Sequence, residues 1–425
     1  MSLKKEDVEQ KQGQVVELGH HEGENNNVVY PRWYRTTFFQ MLVISGLAFA
    51  GPAMSDAISN LGGGGMAKPY AWSAANAANY SFMAAVCMFG GPIVSKIGLK
   101  AALIIGAACF PLEGSALYVT SQHANASWYL IFAESFAGIG LALWYVGEAA
   151  VVLSYPEPNR RGKYLALWIV SRNLGQLVGG AINLAVNKPN NAAGSVSPKV
   201  YIVFMVIEAL GFPIAWLISQ PSKVQRADGS HIRTAPVDKL PVELKKLLQT
   251  LLKPTILLIL PFSIYSFFYI SVYNAYLTDY FTVRARALSS LISPFFCIVG
   301  CFGLGILLDH DKWNQRKRAI LGFAVVVVSA IAINTWSLVV QVQFKHKNPG
   351  AIDWTDSKWP KAFLSYFFIN TFGPIGQSYM YWLISCYSTD VQSNARMGGI
   401  FRSIEAVGQA ISYVGSLSSL SLPCR

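Results

Sequence analysis

Long apolar stretches separated by short polar turns dominate this chain of 425 residues. An α-helix needs about 20 such residues to cross the hydrocarbon layer of a membrane. Eleven stretches approach or exceed that length, at residues 36–57, 72–95, 101–121, 127–154, 164–186, 199–219, 254–278, 288–308, 318–340, 361–388 and 398–420. The pattern predicts an all-α integral membrane protein with eleven transmembrane helices. The short alternating segments typical of a β-barrel do not occur.

Two polar regions interrupt the apolar pattern. Residues 1–35 lack the apolar core of a cleavable signal peptide. Their polar composition predicts a disordered cytosolic tail. Residues 220–253 predict a basic, proline-containing cytosolic linker. Its last part, VELKKLLQTLLK, has the pattern of an amphipathic helix lying on the membrane surface. We therefore expect a six-helix bundle over 36–219 and a second bundle over 254–425, in which five helices are visible.

The two bundles show weak internal similarity. Gly175-Gln176 and Gly408-Gln409 each follow a predicted cytosolic basic residue, Lys163 or Arg396, by 12 positions. Parallel repeats of this kind are common in transporters. If each repeat has six helices, the twelfth is missing from this sequence. A truncated C-terminus and a genuine eleven-helix protein are both compatible with that pattern.

Charge predicts the orientation and limits the classes of function. Only 13% of the residues are charged, against about 25% in soluble domains. With the N-terminus in the cytosol, cytosolic segments hold 22 of the 34 Lys and Arg residues and the opposite side 10. This bias follows the positive-inside rule. The basic residues therefore set orientation, and we expect no nucleic-acid partner. The plasma membrane and vacuolar or endosomal membranes all remain open.

Two charges lie inside consecutive apolar segments, on either side of a basic turn. At 1.5 Å per residue, Glu148 lies about 9 Å from Ser154 and Arg172 about 13 Å from Lys163. An unpaired charge at such depth costs roughly 2.5–3.5 kcal/mol on insertion scales, so we predict that the two form a pair. One interpretation is a cavity pair that binds a solute or exchanges protons. The other is a fixed ion pair that locks two helices together.

Segments 254–278 and 361–388 are rich in aromatic and amide side chains, a composition typical of ligand pockets. The candidates for ligand contact in these segments are Tyr269, Tyr273, Asn274, Asn370, Gln377 and Tyr381, and Tyr145, on the same helix face as Glu148, is a further candidate. The alternative is that the rings lie at the membrane interface and the amides bond between helices. Asp309, Arg402 and Glu405 lie near predicted cytosolic helix ends and are candidates for a cytosolic gate.

Motifs for catalysis are missing from the sequence. Cys297 and Cys301 share a helix face, but no His or Cys pair completes a metal site with them. No nucleophile–base–acid arrangement is recognisable. We therefore expect no enzyme activity, no metal and no cofactor.

Several motifs resemble a known family. The loops at 90–100 (GGPIVSKIGLK) and 303–318 resemble degenerate copies of the Gly-x-x-x-Asp-basic-x-Gly-basic signature of the major facilitator superfamily. The second copy keeps Asp309, whereas the first has Ser95. The stretches GPAMSDAISNLGGGG (51–65) and RRGKYLALWIVSRNLGQLVGGAINL (160–184) resemble the UNC-93-like branch in its fungal form. Ala53 and Asp56 depart from that branch's usual Gly-Pro-Gly-Met-x-Asn-Ala.

This resemblance implies a two-bundle fold around a central cavity. Tyr145 and Glu148 would face the cavity, with Arg172 alongside. It does not imply a substrate. We predict a secondary active transporter that moves a small polar solute or ion through the bilayer by alternating access, and the coupling ion, a proton or potassium, is left open. Members of the branch are also described as regulatory subunits of channels or as trafficking chaperones. A non-transporting partner of a membrane protein is therefore the alternative.

Overall fold

The fold is described from a computed structural model of the chain, in residues 32–66, 70–157, 160–232, 239–308, 310, 312–387 and 391–421. Most of the predicted tail, the linker residues 233–238 and the gate candidate Asp309 lie outside these residues. What the sequence predicts for those segments stays a prediction.

The described residues form α-helices, short 3₁₀ turns and two isolated β-bridges. The helices are α1 (Thr37–Ala50), α2 (Pro52–Ser59), α3 (Tyr70–Met88), α4 (Gly90–Ile97), α5 (Leu99–Gln122), α6 (Ser127–Ser154), α7 (Arg161–Asn187), α8 (Lys199–Ala215), α9 (Leu240–Leu251), α10 (Pro254–Ser266), α11 (Tyr269–Tyr280), α12 (Val283–Leu308), α13 (Gln315–His346), α14 (Trp359–Ser385) and α15 (Val391–Ser421). All eleven apolar segments are therefore helical, and the prediction of an all-α fold is confirmed.

Seven helical stretches of the described chain are long and apolar enough to cross a membrane. Two of them are composite, since α1 with α2 and α10 with α11 each make one stretch. The pair α3 and α4, bent by 70°, adds an eighth. Of the remaining segments, α8 has only 17 residues, while α14 and α15 carry many polar side chains. The count of eleven transmembrane helices therefore stays a prediction.

The first membrane-length stretch of each predicted bundle is broken near its middle. Pro52 follows Gly51 at the start of α2, and a proline at that position has no N–H to continue the ladder of α1. The second break lies between α10 and α11, where the Ser412 hydroxyl donates to the Phe268 carbonyl at 2.6 Å. These breaks bring backbone and polar side chains to the interior of the bundle.

Helix contacts repeat between the two parts of the chain. In the first part, α7 packs on α1 and α2, and α6 packs on α3 and α5. In the second part, α15 packs on α10 and α11, and α14 packs on α12 and α13. Across the molecule, α3 meets α15 and α7 meets α12, which are also equivalent pairs. This is the packing expected of two parallel repeats, although their boundaries at 219 and 254 stay predictions.

The glycines aligned in the sequence lie at equivalent helix crossings. A Cβ on Gly175 would lie 2.6 Å from the Cβ of Ala53, in the first broken stretch. A Cβ on Gly408 would lie 2.2 Å from the carbonyl oxygen of Ile264, in the second. Only a residue without a side chain permits such close approach of two helices. The weak sequence match therefore corresponds to a shared packing constraint.

The linker region packs onto the predicted cytosolic end of the bundle. Arg226 donates to the carbonyls of Ser154 and Tyr155 at 2.5 and 3.1 Å, which caps the end of α6. The helix α9 is amphipathic, as its sequence predicts. Its buried Leu247 belongs to one apolar cluster with Ile400 of α15. Part of its apolar face therefore packs against α15. Its position on the membrane surface stays a prediction.

On the opposite, predicted outer side, one arginine connects the two parts of the molecule. Arg286 at the start of α12 is fully buried. Its guanidinium donates to the carbonyls of Leu61 at 2.5 Å, Gly62 at 2.7 Å and Gly194 at 3.1 Å. All three acceptors belong to the first part of the chain. We call this set of contacts the outer clasp.

We expect Arg286→Met to open the predicted outer side. The variant loses three hydrogen bonds from a charged donor, each worth about 1.5–3 kcal/mol. A membrane-impermeant maleimide applied from that side should then label a cysteine introduced at Ser59, a cavity residue, at least about tenfold faster.

The matched control is Arg284→Met, two residues earlier on the same helix. Arg284 pairs with Asp353 of the second part, and its guanidinium holds the pKa of that carboxyl well below its usual range. This pair does not connect the two parts, so its loss should leave the labelling rate unchanged. Equal rates in the two arginine variants would contradict the outer clasp.

Candidate functional site

A cavity lies between the two parts of the molecule. Its volume is about 820 Å³ counted to its opening. Helices α2 and α7 line one side, and α11 and α14 line the other. The aromatic lining residues are Trp168, Phe267, Tyr269, Tyr273, Tyr366 and Tyr381, and the amides are Asn60, Asn173, Gln176, Asn274, Asn370 and Gln377. We call this space the central cavity.

A hydrogen-bonded carboxylate stands at the wall of the central cavity. Asp56 of α2 accepts from Nε and Nη2 of Arg172 at 3.1 and 2.9 Å. It also accepts from the Gln176 amide, one helical turn further along α7, at 2.8 Å. The side chains of Asp56 and Arg172 are 33% and 15% exposed. This ion pair is therefore in contact with the space that a solute would occupy.

The prediction that Glu148 pairs with Arg172 is wrong. Glu148 instead accepts a hydrogen bond at 2.8 Å from the indole Nε1 of Trp168. Trp168 lies one helical turn before Arg172 on α7. Its ring therefore occupies the place beside Glu148 that the sequence prediction gave to Arg172. The depth estimate placed both charges at similar levels but carried no information on the direction in which each side chain points.

A second charged network lies on the other side of the cavity. Arg402 donates to Glu405 at 2.7 Å. Glu405 also accepts from the hydroxyl of Ser266 at 2.8 Å and from the amide of Gln377 at 3.2 Å. The side chains of Arg402 and Glu405 are 6% and 0% exposed. This pair is more deeply buried than the pair at Asp56, although Arg402 lines a neighbouring cavity.

The position of Arg402 and Glu405 differs from the predicted cytosolic helix end. The helix that carries them begins at Val391, so Arg402 lies about 16 Å along it. The sequence placed the helix start at 398 because residues 391–397 are polar. Those residues remain helical since part of their polar surface is bonded, as when the Asn394 amide donates to Ser154 at 3.1 Å. The pair therefore belongs to the interior, and a gating role stays a prediction.

Tyr145 links the two charged networks. Its ring centroid lies 3.6 Å from the guanidinium carbon of Arg402 and 5.9 Å from that of Arg172. A desolvated cation over an aromatic ring is stabilised by about 2 kcal/mol. One ring of the first part thus contacts an arginine from each part of the chain.

The other candidates for ligand contact lie together. Tyr269, Tyr273, Asn274, Asn370, Gln377 and Tyr381 all line the central cavity. Tyr145 lines a neighbouring cavity instead. Glu148 is buried beside Trp168 and lines neither space. Whether any of these residues touches a ligand stays a prediction.

The neighbouring cavity has a volume of about 600 Å³ and shares Asp56 and Arg172 with the central one. Two buried carboxyl groups line it. Glu113 accepts from the Ser55 hydroxyl at 2.8 Å, and Glu134 accepts from the Asn79 amide at 2.6 Å. Among the described residues, neither has a cationic partner within salt-bridge distance. Asp56, Glu113 and Glu134 therefore line one cavity within the first part of the chain.

The main candidate residue that the sequence prediction missed is Asp56. A signal for it exists, because a carboxylate stands where the related motif has a neutral asparagine. An acidic side chain inside an apolar segment requires a cation or a proton. In the first part of the chain, Arg172 is the basic residue inside an apolar segment. Because Glu113, Glu134, Glu148 and Glu208 also lie in apolar segments, only the departure from the related motif singles out Asp56 as the partner of Arg172.

Comparison with known proteins identifies the family. Residues 36–413 match the Major Facilitator Superfamily. The Notoamide biosynthesis cluster protein O′ of Aspergillus versicolor is 37% identical over 92% of this chain and 85% of its own length. The UNC93-like protein 1 of Arabidopsis thaliana is 29% identical over 95% of this chain and 89% of its own length.

Solved structures with the same fold are distant in sequence. The partially occluded, inward-open xylose transporter XylE from E. coli aligns with a TM-score of 0.62 at 14% identity, covering 90% of this chain and 91% of that one. The E. coli fucose:proton symporter FucP aligns with a TM-score of 0.56 at 12% identity, covering 91% and 94%. The two-bundle fold is therefore confirmed. The chain belongs to the Major Facilitator Superfamily, and it is similar to UNC93-like proteins at 29% identity.

Proposed function

We propose that this protein is a secondary active transporter that moves a small solute with polar groups, or an ion, by alternating access. The observation that carries the proposal is the exposure of the Asp56–Arg172 pair to the central cavity, at 33% and 15%. A pair that only locks helices together needs no access to a cavity. The Arg402–Glu405 pair, at 6% and 0%, fits that locking role better.

The exposed pair supplies a way to couple two movements. When Asp56 takes up a proton, or a cation such as potassium replaces the guanidinium, it no longer neutralises Arg172. The guanidinium then needs another acceptor, and a polar group of a solute in the cavity supplies it. Loss of the proton or cation on the other side of the membrane restores the pair and displaces the solute. Asp56 is thus the coupling carboxylate of this proposal.

Alternating access requires contacts at each end of the cavity that can open in turn. The outer clasp at Arg286 is one such set. At the predicted cytosolic end, α15 closes against the first part of the chain, where the Asn394 amide donates to the Ser154 hydroxyl at 3.1 Å. There a Cβ on Gly91 would lie 2.7 Å from the side chain of Arg396. These contacts join the same two parts of the chain as the outer clasp, but at the opposite end.

The names of related proteins support the class of function without assigning a solute. FucP is titled a fucose:proton symporter and XylE a xylose transporter. The similarity to them is one of fold, so it favours transport coupled to protons and gives no reason to expect a sugar. A relative at 37% identity is named for a biosynthesis cluster, which favours a small organic solute over a bare ion.

The rival function is that of a non-transporting regulatory subunit or trafficking chaperone for a channel or receptor. Under that function, the exposed pair would maintain the fold and no solute would cross the membrane. Transport currents distinguish the two functions directly.

We expect Asp56→Asn to abolish solute-dependent current. The substitution keeps the size of the side chain and removes the group that binds the proton or cation. Purified protein in liposomes would be adsorbed to a solid-supported membrane and challenged with jumps in pH, potassium and a panel of polar solutes. Wild-type protein should give a transient current with at least one solute, and the variant should give less than about a tenth of it.

Two controls separate coupling from folding. Asp228→Asn makes the same chemical change at an exposed aspartate that accepts hydrogen bonds from Ser230, and it should keep the full current. Asp56→Asn leaves Arg172 without its carboxylate, which costs roughly 3–5 kcal/mol if the site is fully buried. The double variant Asp56→Asn/Arg172→Gln removes that penalty and should fold but not transport. A folded Asp56→Asn variant that carries normal current would disprove the assignment of Asp56 as the coupling carboxylate.

A folded wild-type protein without any current would favour the regulatory subunit.

Tyr145 gives an independent test of coupling between the two parts of the molecule. Tyr145→Phe keeps the ring and should retain current within about threefold. Tyr145→Leu removes a cation–π contact worth about 2 kcal/mol, so current should fall at least about tenfold and the Tm should decrease. Similar currents in the Phe and Leu variants would show that the ring does not mediate coupling.

A further inference from the structure

An apolar cleft lies beside the central cavity and opens toward the membrane. Its walls are the predicted cytosolic halves of α7, α12 and α14, and its volume is about 1190 Å³ counted to its opening. Most of its lining is aliphatic or aromatic, including the lipid-facing Phe302 and Ile306. Along α7 it extends from Lys163 to Val170, about 10.5 Å at 1.5 Å per residue.

The cleft and the central cavity are adjacent. The side chains that line both are Trp168, Ile169, Cys301, Ser378 and Tyr381. The rings of Trp168 and Tyr381 meet edge to face at this boundary, with their centroids 6.0 Å apart. A molecule that reaches between these side chains would have one end beside Arg172 and Asn173 in the cavity and the other end in the cleft.

The cleft marks a place where the two-fold pattern of helix contacts fails. Helix α15 packs along α6, which closes that flank of the cavity. The equivalent helices on the other flank, α7 and α14, make no comparable contact among the described residues. Helices α7 and α12 do meet near their outer ends, where a Cβ on Gly180 would lie 2.4 Å from the Ser290 carbonyl oxygen. They diverge toward the other end, where a Cβ on Gly305 would meet nothing within 4 Å.

We propose that the substrate is an amphipathic molecule whose polar group binds in the central cavity and whose apolar part occupies this cleft. The polar group is a hydrogen-bonding one, because amides and the Asp56–Arg172 pair surround it. The apolar part gains contact with side chains from both parts of the chain, since α7 belongs to the first and α12 and α14 to the second. This inference rests on the proposed function and names the substrate class of the same site.

Both parts of the chain form the cleft, so alternating access changes its width. An apolar group held there stabilises the conformation in which α7 and α14 stand apart at this end. A polar group at Asp56 and Arg172 is bound in the same conformation. The polar and apolar ends of one molecule therefore both stabilise the conformation in which α7 and α14 stand apart. A small, purely polar solute has no apolar end to add this second contribution.

The test uses tritiated para-octylbenzamide, with benzamide as the short analogue, bound to wild-type and variant protein in nanodiscs. Gly305→Trp fills the cleft from a position with open space around it. Gly303→Trp is the matched control, because its Cβ also meets nothing within 4 Å and it lines a different groove. Partitioning of the probe into the bilayer is the same for both variants. The ratio of their affinities for para-octylbenzamide therefore reports binding in the cleft alone.

We expect Gly305→Trp to weaken binding of para-octylbenzamide at least about tenfold relative to Gly303→Trp. Benzamide should bind all three proteins with affinities within about twofold of one another. Equal affinity of the two variants for para-octylbenzamide would overturn the proposal and show that bilayer lipid alone fills the cleft. Loss of both probes in Gly305→Trp would also overturn it, because cleft and cavity would then not be separate parts of the site.

The current measurements keep this inference distinct from the proposed function. If wild-type protein carries a solute-dependent current but binds neither probe, transport stands and the amphipathic substrate is wrong. If no current is found but para-octylbenzamide binding depends on Gly305, the transport proposal fails while the site for an amphipathic ligand stands.

Discussion

A charged side chain inside a membrane-spanning bundle must be neutralised by a partner, because burying it alone costs several kcal/mol. This constraint organises the centre of the molecule. Asp56 neutralises Arg172, Glu405 neutralises Arg402, and the ring of Tyr145 contacts both guanidinium groups. Since Tyr145 and Arg402 belong to different parts of the chain, the electrostatic balance of one part depends on the position of the other. Movement of the parts therefore changes the environment of both charges.

The helices were predictable from the sequence because each depends on a local property, the length of its apolar run. Errors occur where polar residues continue a helix, as at the start of α15, which begins seven residues before the predicted 398. The aromatic and amide residues of the central cavity were also predictable as a group. Polar side chains in the middle of an apolar helix have few stable environments other than a cavity or another helix.

The partners of the charges were not predictable from depth alone. A helix position gives the level of a side chain in the membrane, but the direction depends on helix rotation and packing. Trp168 takes the carboxylate of Glu148, which leaves Arg172 to Asp56. The break at Gly51–Pro52 starts a new helix four residues before Asp56, and no apolar pattern reveals the orientation of that helix. The departure of Asp56 from the related motif is the stronger signal, because it is chemical and does not depend on geometry.

The two charged pairs differ in a way that fits the unequal flanks of the cavity. The more deeply buried pair, Arg402 and Glu405, is carried by α15, the helix that closes one flank against α6. The exposed pair includes Arg172 of α7, which makes no comparable contact with α14 among the described residues and lies beside the apolar cleft. Sequence repeats predict equal flanks, so the inequality is a property of the folded structure. Under the proposed function, a ligand that enters the open flank meets the exchangeable charge, while the more buried pair on the other flank keeps the two parts in register.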